Sequence, residues 1–213
     1  MVKTERWLQN LNLPEDIKPI FLSIADELVW LNVQWKFYDE LFIDKKDQSL
    51  IMSAAKTFFM SLERIIRHSI ILGICHLSDP PEVILKGKPL ENLSLANLIR
   101  KHPTDQTVLD SFAEFKRQSS SFHPWRNKLI AHSDLETILA GRRLPAINQD
   151  KIQKCLDLAG NVLKGLAMYH GNSTPIGFEP LIKNGTYNLK QWLKEGLSSR
   201  ERRLPAIKEG FSE

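Results

Sequence analysis

Long apolar runs, cysteines and strand-like alternation are all scarce in this chain, and each scarcity removes a class of protein. The longest apolar run, "SIILGIC", is far too short to span a bilayer. No membrane partner is therefore expected. Cysteine occurs only at positions 75 and 155, both inside apolar helical patterns. Two buried reduced thiols fit that placement better than a disulfide framework or a metal site. Period-2 alternation is rare and β-branched runs are short, which argues against a sheet. There is no glycine-rich phosphate loop, no internal repeat and no low-complexity tract. The N-terminal "MVKTERWLQNLNLPEDIK" has no apolar h-region, so a signal peptide is not expected and the expected compartment is a reducing cytoplasm.

What remains is ordinary globular material. The 213 residues are 42% hydrophobic and 25% charged, and they suffice for one domain with a sizeable appendage. The formal net charge is +4. Seven Lys/Arg against four Asp/Glu fall between positions 183 and 213, so much of the excess lies at the C-terminal end. A surplus of that size permits an anionic partner without demanding one.

Period-3.6 patterning dominates and predicts an all-α fold. A first helix is expected from about 14 to 42, with Val29, Trp35, Tyr38 and Phe42 along one broad face. "DKKDQS" reads as a polar break. A second helix, about 50–77, is apolar around most of its circumference and reads as the central helix of a bundle. "SDPPE" stops it, and "GKP" marks an irregular stretch. Short helices fit "SLANLIRKH" and "DQTVLDSFAEFKRQ". A helix over about 124–139 is ended by Gly141, and another runs from about 148 to 169. Residues 1–170 are expected to form the helical domain. Residues 171–213 form a loosely patterned extension with one short helix, "NLKQWLKEGLSS", and a tail, "RERRLPAIKEGFSE".

One stretch, "SFHPWRNKLIAHSD", does not fit plain helix. On an ideal helix Trp125, Leu129, His132, Leu135 and Leu139 share a stripe. The bland reading of His132 is a core histidine with one hydrogen bond. Arg126 precedes it by six positions, which separates the two by about 120° around the helix and about 9 Å along it. If both serve one site, another helix or another subunit must supply a wall. The bland reading of "RNK" is a solvated first turn. A cation near a helix N-terminus opposes the macrodipole, at a cost of a few tenths of a kcal/mol. That hints at a role for Arg126 other than helix stability.

"RNKLIAH" resembles the Rx4–6H signature of the HEPN superfamily. With "VWLNVQWKFYDELF" and "AAKTFFMSLERIIRHSIILGICHLSDP", it follows the order of the AbiU2-like branch, which is associated with phage abortive infection. The resemblance covers about residues 25–169. It implies a HEPN-like helical bundle that dimerises through the motif helices and acts as a metal-independent endoribonuclease, in phage defence or as a toxin. The alternative within the family is a non-catalytic module that binds RNA, a nucleotide or a partner protein. Arg126 and His132 match the signature pair, and Asn127 matches the polar position after the arginine. No cofactor and no metal are implied. The implied partners are single-stranded RNA, a second copy of the chain, and an antitoxin or defence-system component. One HEPN subgroup, paired with a nucleotidyltransferase antitoxin, has a tyrosine two positions after the histidine. Asp134 stands there instead, so a tyrosine-modifying antitoxin is not implied.

The chemistry is sound. A 2′-OH can attack the adjacent phosphate while a histidine of near-neutral pKa relays the proton and an arginine grips the phosphate oxygens. A partly apolar setting would keep His132 neutral and able to act as a base. Elsewhere, His68 and His76 have the wrong spacing for a metal pair. Arg64 and Arg67 read as ion-pair or groove residues, and Glu63 as solvated. Trp7, Trp30, Trp35 and Trp192 read as core or interface anchors rather than base-stacking platforms.

Overall fold

The structure is a computed structural model and describes residues 11–101, 104–130, 148–172, 176–178 and 185–209. The fold is all-α apart from one small hairpin. Six helices appear among the described residues: α1 (Lys18–Phe42), α2 (Lys45–Ser78), α3 (Leu95–Lys101), α4 (Gln106–Ser119), α5 (Gln149–Tyr169) and α6 (Tyr187–Glu209). Strands β1 (Glu82–Leu85) and β2 (Lys88–Glu91) lie between α2 and α3.

Capping chemistry explains most helix starts. Pro14 begins a turn, with its carbonyl accepting from the Ile17 and Lys18 amides at 3.1 and 2.9 Å, and α1 follows. Asp44 Oδ1 accepts from the Lys46 and Asp47 amides at 2.8 and 3.2 Å and starts α2. The stretch read as a polar break is thus a helix cap. Asp105 caps α4 through the Val108 amide, and Asn148 caps α5 through the Asp150 amide.

The chain divides into two compact units, one from Met1–Asn32 with His68–Pro180, the other from Val33–Arg67 with Leu181–Glu213. The first unit buries Phe21, Ile24, Leu28 and Leu31 of α1, Ile70, Ile71 and Ile74 of α2, Phe115 of α4, and Val162, Leu163 and Leu166 of α5. Inside it, α4 and α5 pack closely because Gly165 has no side chain. A Cβ there would lie 2.5 Å from Val108 Cγ2. The second unit has its own cluster of Leu41, Phe42, Ile51 and Phe59, against which Leu189 and Leu193 of α6 pack. Thr186 Oγ1 donates to Glu40 at 2.6 Å, and Lys190 pairs with Asp47 at 2.7 Å.

Four expectations change. The second helix is interrupted at Ala55 (φ −156°, ψ 72°), and it buries residues in different clusters, Ile51 and Phe59 in the second unit and Ile70, Ile71 and Ile74 in the first. Phe58, Met60 and Ile65 are exposed, so apolar character around the circumference did not mean burial. "EVILKGKPLE" is a hairpin rather than irregular chain. Lys86 (φ 51°) and Gly87 (φ 75°) both take the left-handed conformation that a tight two-residue hairpin turn needs. Arg100 ties its base to α3, meeting Glu82 at 2.6 Å and Glu91 at 3.2 Å. The expected tail is helical to Glu209, since Arg, Glu, Leu and Lys are good helix formers on both sides of Pro205. Glu63, expected to be solvated, accepts from the Tyr38 hydroxyl at 2.9 Å and pairs with Arg67 at 3.6 Å. Burial and that carboxylate push the Tyr38 hydroxyl up to about 12.

The α4–α5 contact is testable. Gly165→Ala sets a helix-propensity gain of about 1 kcal/mol against overpacking of about 1–3 kcal/mol. Val108 is fully buried and β-branched, so it cannot swing aside, and overpacking should win. Adding Val108→Ala removes the clash. In urea denaturation the double variant should be more stable than the two single losses predict, and simple additivity would refute the contact.

Candidate functional site

The motif segment is built by a graded change in helix type. At the end of α4 three consecutive serines each donate a hydroxyl to the carbonyl three residues back. Ser119 reaches Lys116 at 3.2 Å, Ser120 reaches Arg117 at 2.8 Å and Ser121 reaches Gln118 at 3.1 Å. Such back-bonding of serine hydroxyls to the preceding turn accompanies the change of helix type. Ser120–Phe122 then tighten into a 3-10 turn and His123–Trp125 return to α geometry. Pro124, which cannot donate a backbone hydrogen bond, suits that first turn. Arg126–Ile130 widen into a π-helical turn, a form that occurs mostly as single turns within helices and is frequent at functional sites. Phe122, 1% exposed, anchors the segment in the core.

The expected regular helix over 124–139 is therefore not what begins at Pro124. A π turn holds more residues than an α turn. The 120° separation expected between Arg126 and His132 assumed 100° per residue throughout, and the turn at Arg126–Ile130 departs from that value. His132, Asp134 and Gly141 lie outside the described residues, as do Leu135 and Leu139.

Arg126 is half-buried and held at two points. Its Nη1 donates to Asp79 Oδ1 at 2.5 Å, and its Nε donates to Asn127 Oδ1 at 3.0 Å. Each side chain of the Asp79 pair is 23% exposed. Asp79 sits just past the C-terminus of α2. There the negative end of the helix dipole adds to the potential of the carboxylate. The cation that reads as misplaced at the start of one helix is well placed at the end of another. Asn127 is exposed and reaches Arg126 from the next position.

The residue before Asp79 holds a second group of the same segment. Ser78 Oγ lies 3.1 Å from His123 Nε2 and donates to the Cys75 carbonyl at 2.9 Å. A hydroxyl proton is used once, so Nε2 must donate to Ser78. Neutral His123 then carries its proton on Nε2 and leaves Nδ1 as the acceptor. Burial lowers the His123 pKa below its usual 6.5, and the charges of Arg126 and Lys116 push the same way while Asp79 opposes them. The Cys75 thiol beneath is pushed by burial up to about 12, so it stays protonated. Both cysteines are free and buried, as expected.

Ser78, Asp79 and His123 were not among the residues singled out from sequence. The signal was slight: "SDP" reads as a helix stop and "HP" as a helix start. Nothing local announces that the two ends meet. Trp35 is buried, whereas Trp30 and Trp192 are 47% and 67% exposed, and Trp7 lies outside the described residues. Among the described residues no group of three His, Cys, Asp or Glu side chains could hold a metal ion, and no helix is long and apolar enough to cross a membrane.

A mainly helical fold with one small hairpin is consistent with a HEPN-type module. The AbiU2 family model of HEPN proteins matches residues 14–184, most of the chain, and the protein belongs to that family. No curated protein and no solved structure matches it.

The Asp79–Arg126 contact should register in stability. A hydrogen-bonded charge pair contributes about 1.5–3 kcal/mol when well buried and about 0–1 when exposed. At the exposure found here a double-mutant cycle of Asp79→Ala and Arg126→Ala should return a coupling of about 1–2 kcal/mol, reduced by added salt. A coupling indistinguishable from zero at low salt would show that the pair is not formed in solution.

Proposed function

We propose that the protein is a metal-independent endoribonuclease acting in phage defence or as a toxin. The observation that carries this reading is the braced guanidinium of Arg126. Its contacts with Asp79 and Asn127 use two of the five N–H donors of an arginine and fix the plane of the group. A guanidinium oriented in advance grips a phosphate at lower entropic cost than a free one. In this proposal Arg126 stabilises the charge that builds on the phosphate, Asn127 helps hold the arginine, and His132 takes part in the proton transfer. The substrate is single-stranded RNA, whose unstacked chain can enter a narrow site. The unpaired thiols suit a reducing cytoplasm. An antitoxin or defence-system component is the expected regulator.

Induced expression of wild type should arrest growth, and His132→Ala should relieve the arrest. Purified wild type should cut single-stranded RNA in EDTA, leaving a 2′,3′-cyclic phosphate and a 5′-OH. Arg126→Ala and His132→Ala should each lower cleavage at least about 100-fold, the lower end of what one acid–base or charge-stabilising group contributes. A 5′-phosphate product, or wild-type rates in both variants, would overturn the mechanism.

The family resemblance also proposes a two-fold dimer with the motif segments at its interface. A C2 contact needs a patch complementary only to itself. Light scattering at micromolar concentration should give the dimer mass, and an active monomer would refute it.

One observation favours a second reading. Asp79 already compensates the charge of Arg126, and a phosphate must compete with it. If that competition goes against catalysis, the protein is a non-catalytic module that binds RNA, a nucleotide or a partner protein. Retention of RNA in a gel shift without any cleavage would support this reading over the first.

A further inference from the structure

We infer that His123 is a second acid–base residue of this site, the group that removes the proton from the attacking 2′-OH. The inference rests on the ribonuclease reading and adds a residue to it. Consecutive residues at the end of α2 hold the two cationic-type side chains of one turn, Ser78 the imidazole of His123 and Asp79 the guanidinium of Arg126. The Arg126 amide in turn donates to the His123 carbonyl, so the two residues belong to one hydrogen-bonded turn. A structural histidine needs no neighbour of that kind. A base does, because it must stand beside the group that binds the phosphate.

The hydrogen bonding also sets which nitrogen works. Ser78 spends its proton on the Cys75 carbonyl and accepts from His123 Nε2, which leaves Nδ1 with the lone pair. The charged groups around the ring are Arg126 on its own segment, Asp79 past α2 and Lys116 on α4. With burial, the two cations outweigh the carboxylate and keep the imidazole neutral at pH 7. In the step, Nδ1 takes the 2′-OH proton as the O2′–P bond forms. The P–O5′ bond breaks, and O5′ receives a proton from His132, which with His123 as the base must enter the reaction protonated, as the acid, and not as the neutral base that its apolar stripe implied. The products are the 2′,3′-cyclic phosphate and a 5′-OH, and the two histidines reset by exchange with water.

Two measurements test this. The first needs no activity. In 15N NMR of the whole protein, the resonance lost in His123→Asn should be that of an Nε2–H tautomer titrating below 6.5, and Ser78→Ala should release the tautomer preference. An Nδ1–H tautomer in wild type would overturn the inference. The second compares RNA with the same strand carrying a bridging sulfur in place of O5′ at the mapped cleavage site. Sulfur leaves without a proton, so it rescues a lost acid but not a lost base. His123→Ala should fall about 100- to 10 000-fold on both strands, the range for a general base. His132→Ala should recover on the sulfur strand. Loss of the rising acidic limb of the pH profile in His123→Ala would agree. Wild-type rates in His123→Ala, or its rescue by sulfur, would sink the role of His123 while leaving the ribonuclease reading intact. Failure of wild type to cut either strand would overturn both.

Discussion

The contact between Asp79 and Arg126 joins the end of α2 to the motif segment, 47 residues apart in the chain. Asp79 adds a carboxylate to the negative end of α2, against the local dipole. The Arg126 cation faces that end and offsets both charges. The serine ladder closing α4 and the buried ring of Phe122 bring the segment into register, so the pair forms without a long side chain having to search for its partner.

Such a pair serves chemistry in two opposed ways. It fixes the guanidinium plane, which favours an incoming phosphate, and it supplies a competing anion, which disfavours one. At 23% exposure neither full screening nor full desolvation applies. A phosphate of higher charge, gripped by more than one N–H, can displace or share the contact that a single carboxylate oxygen makes. The same balance makes the site responsive: anything that draws Asp79 away strengthens the anion seat, and anything that tightens the pair closes it.

Helices were legible from apolar periodicity and from caps. The Asn148 and Asp105 caps stand where the sequence pattern places them, and α5 runs to Tyr169 as expected. The hairpin was not legible, since all eight of its strand residues are exposed and no alternation separates an inside from an outside. The length of α6 was obscured by Pro205, which looks like a stop until the strong helix formers around it are weighed. For the site, Arg126 and Asn127 came from a motif resemblance and a dipole anomaly. Asp79 and Ser78 could not come from any local window, because their meaning depends on a contact made across the fold.

The π turn is the least predictable element and the one on which the geometry of the motif turns. A regular helix would carry each later side chain round by a fixed 100°. Inserting a wider turn at Arg126 breaks that count, so a spacing of six residues no longer dictates how far an arginine and a histidine diverge. A tolerance of four to six residues between two functional side chains is hard to reconcile with one rigid helix. It is natural for a segment whose pitch changes within the interval. The freedom has a structural requirement: the chain before the turn must be fixed from outside the helix. Here the fixing comes from the buried Phe122 and from the paired grip of Ser78 on His123 and Asp79 on Arg126.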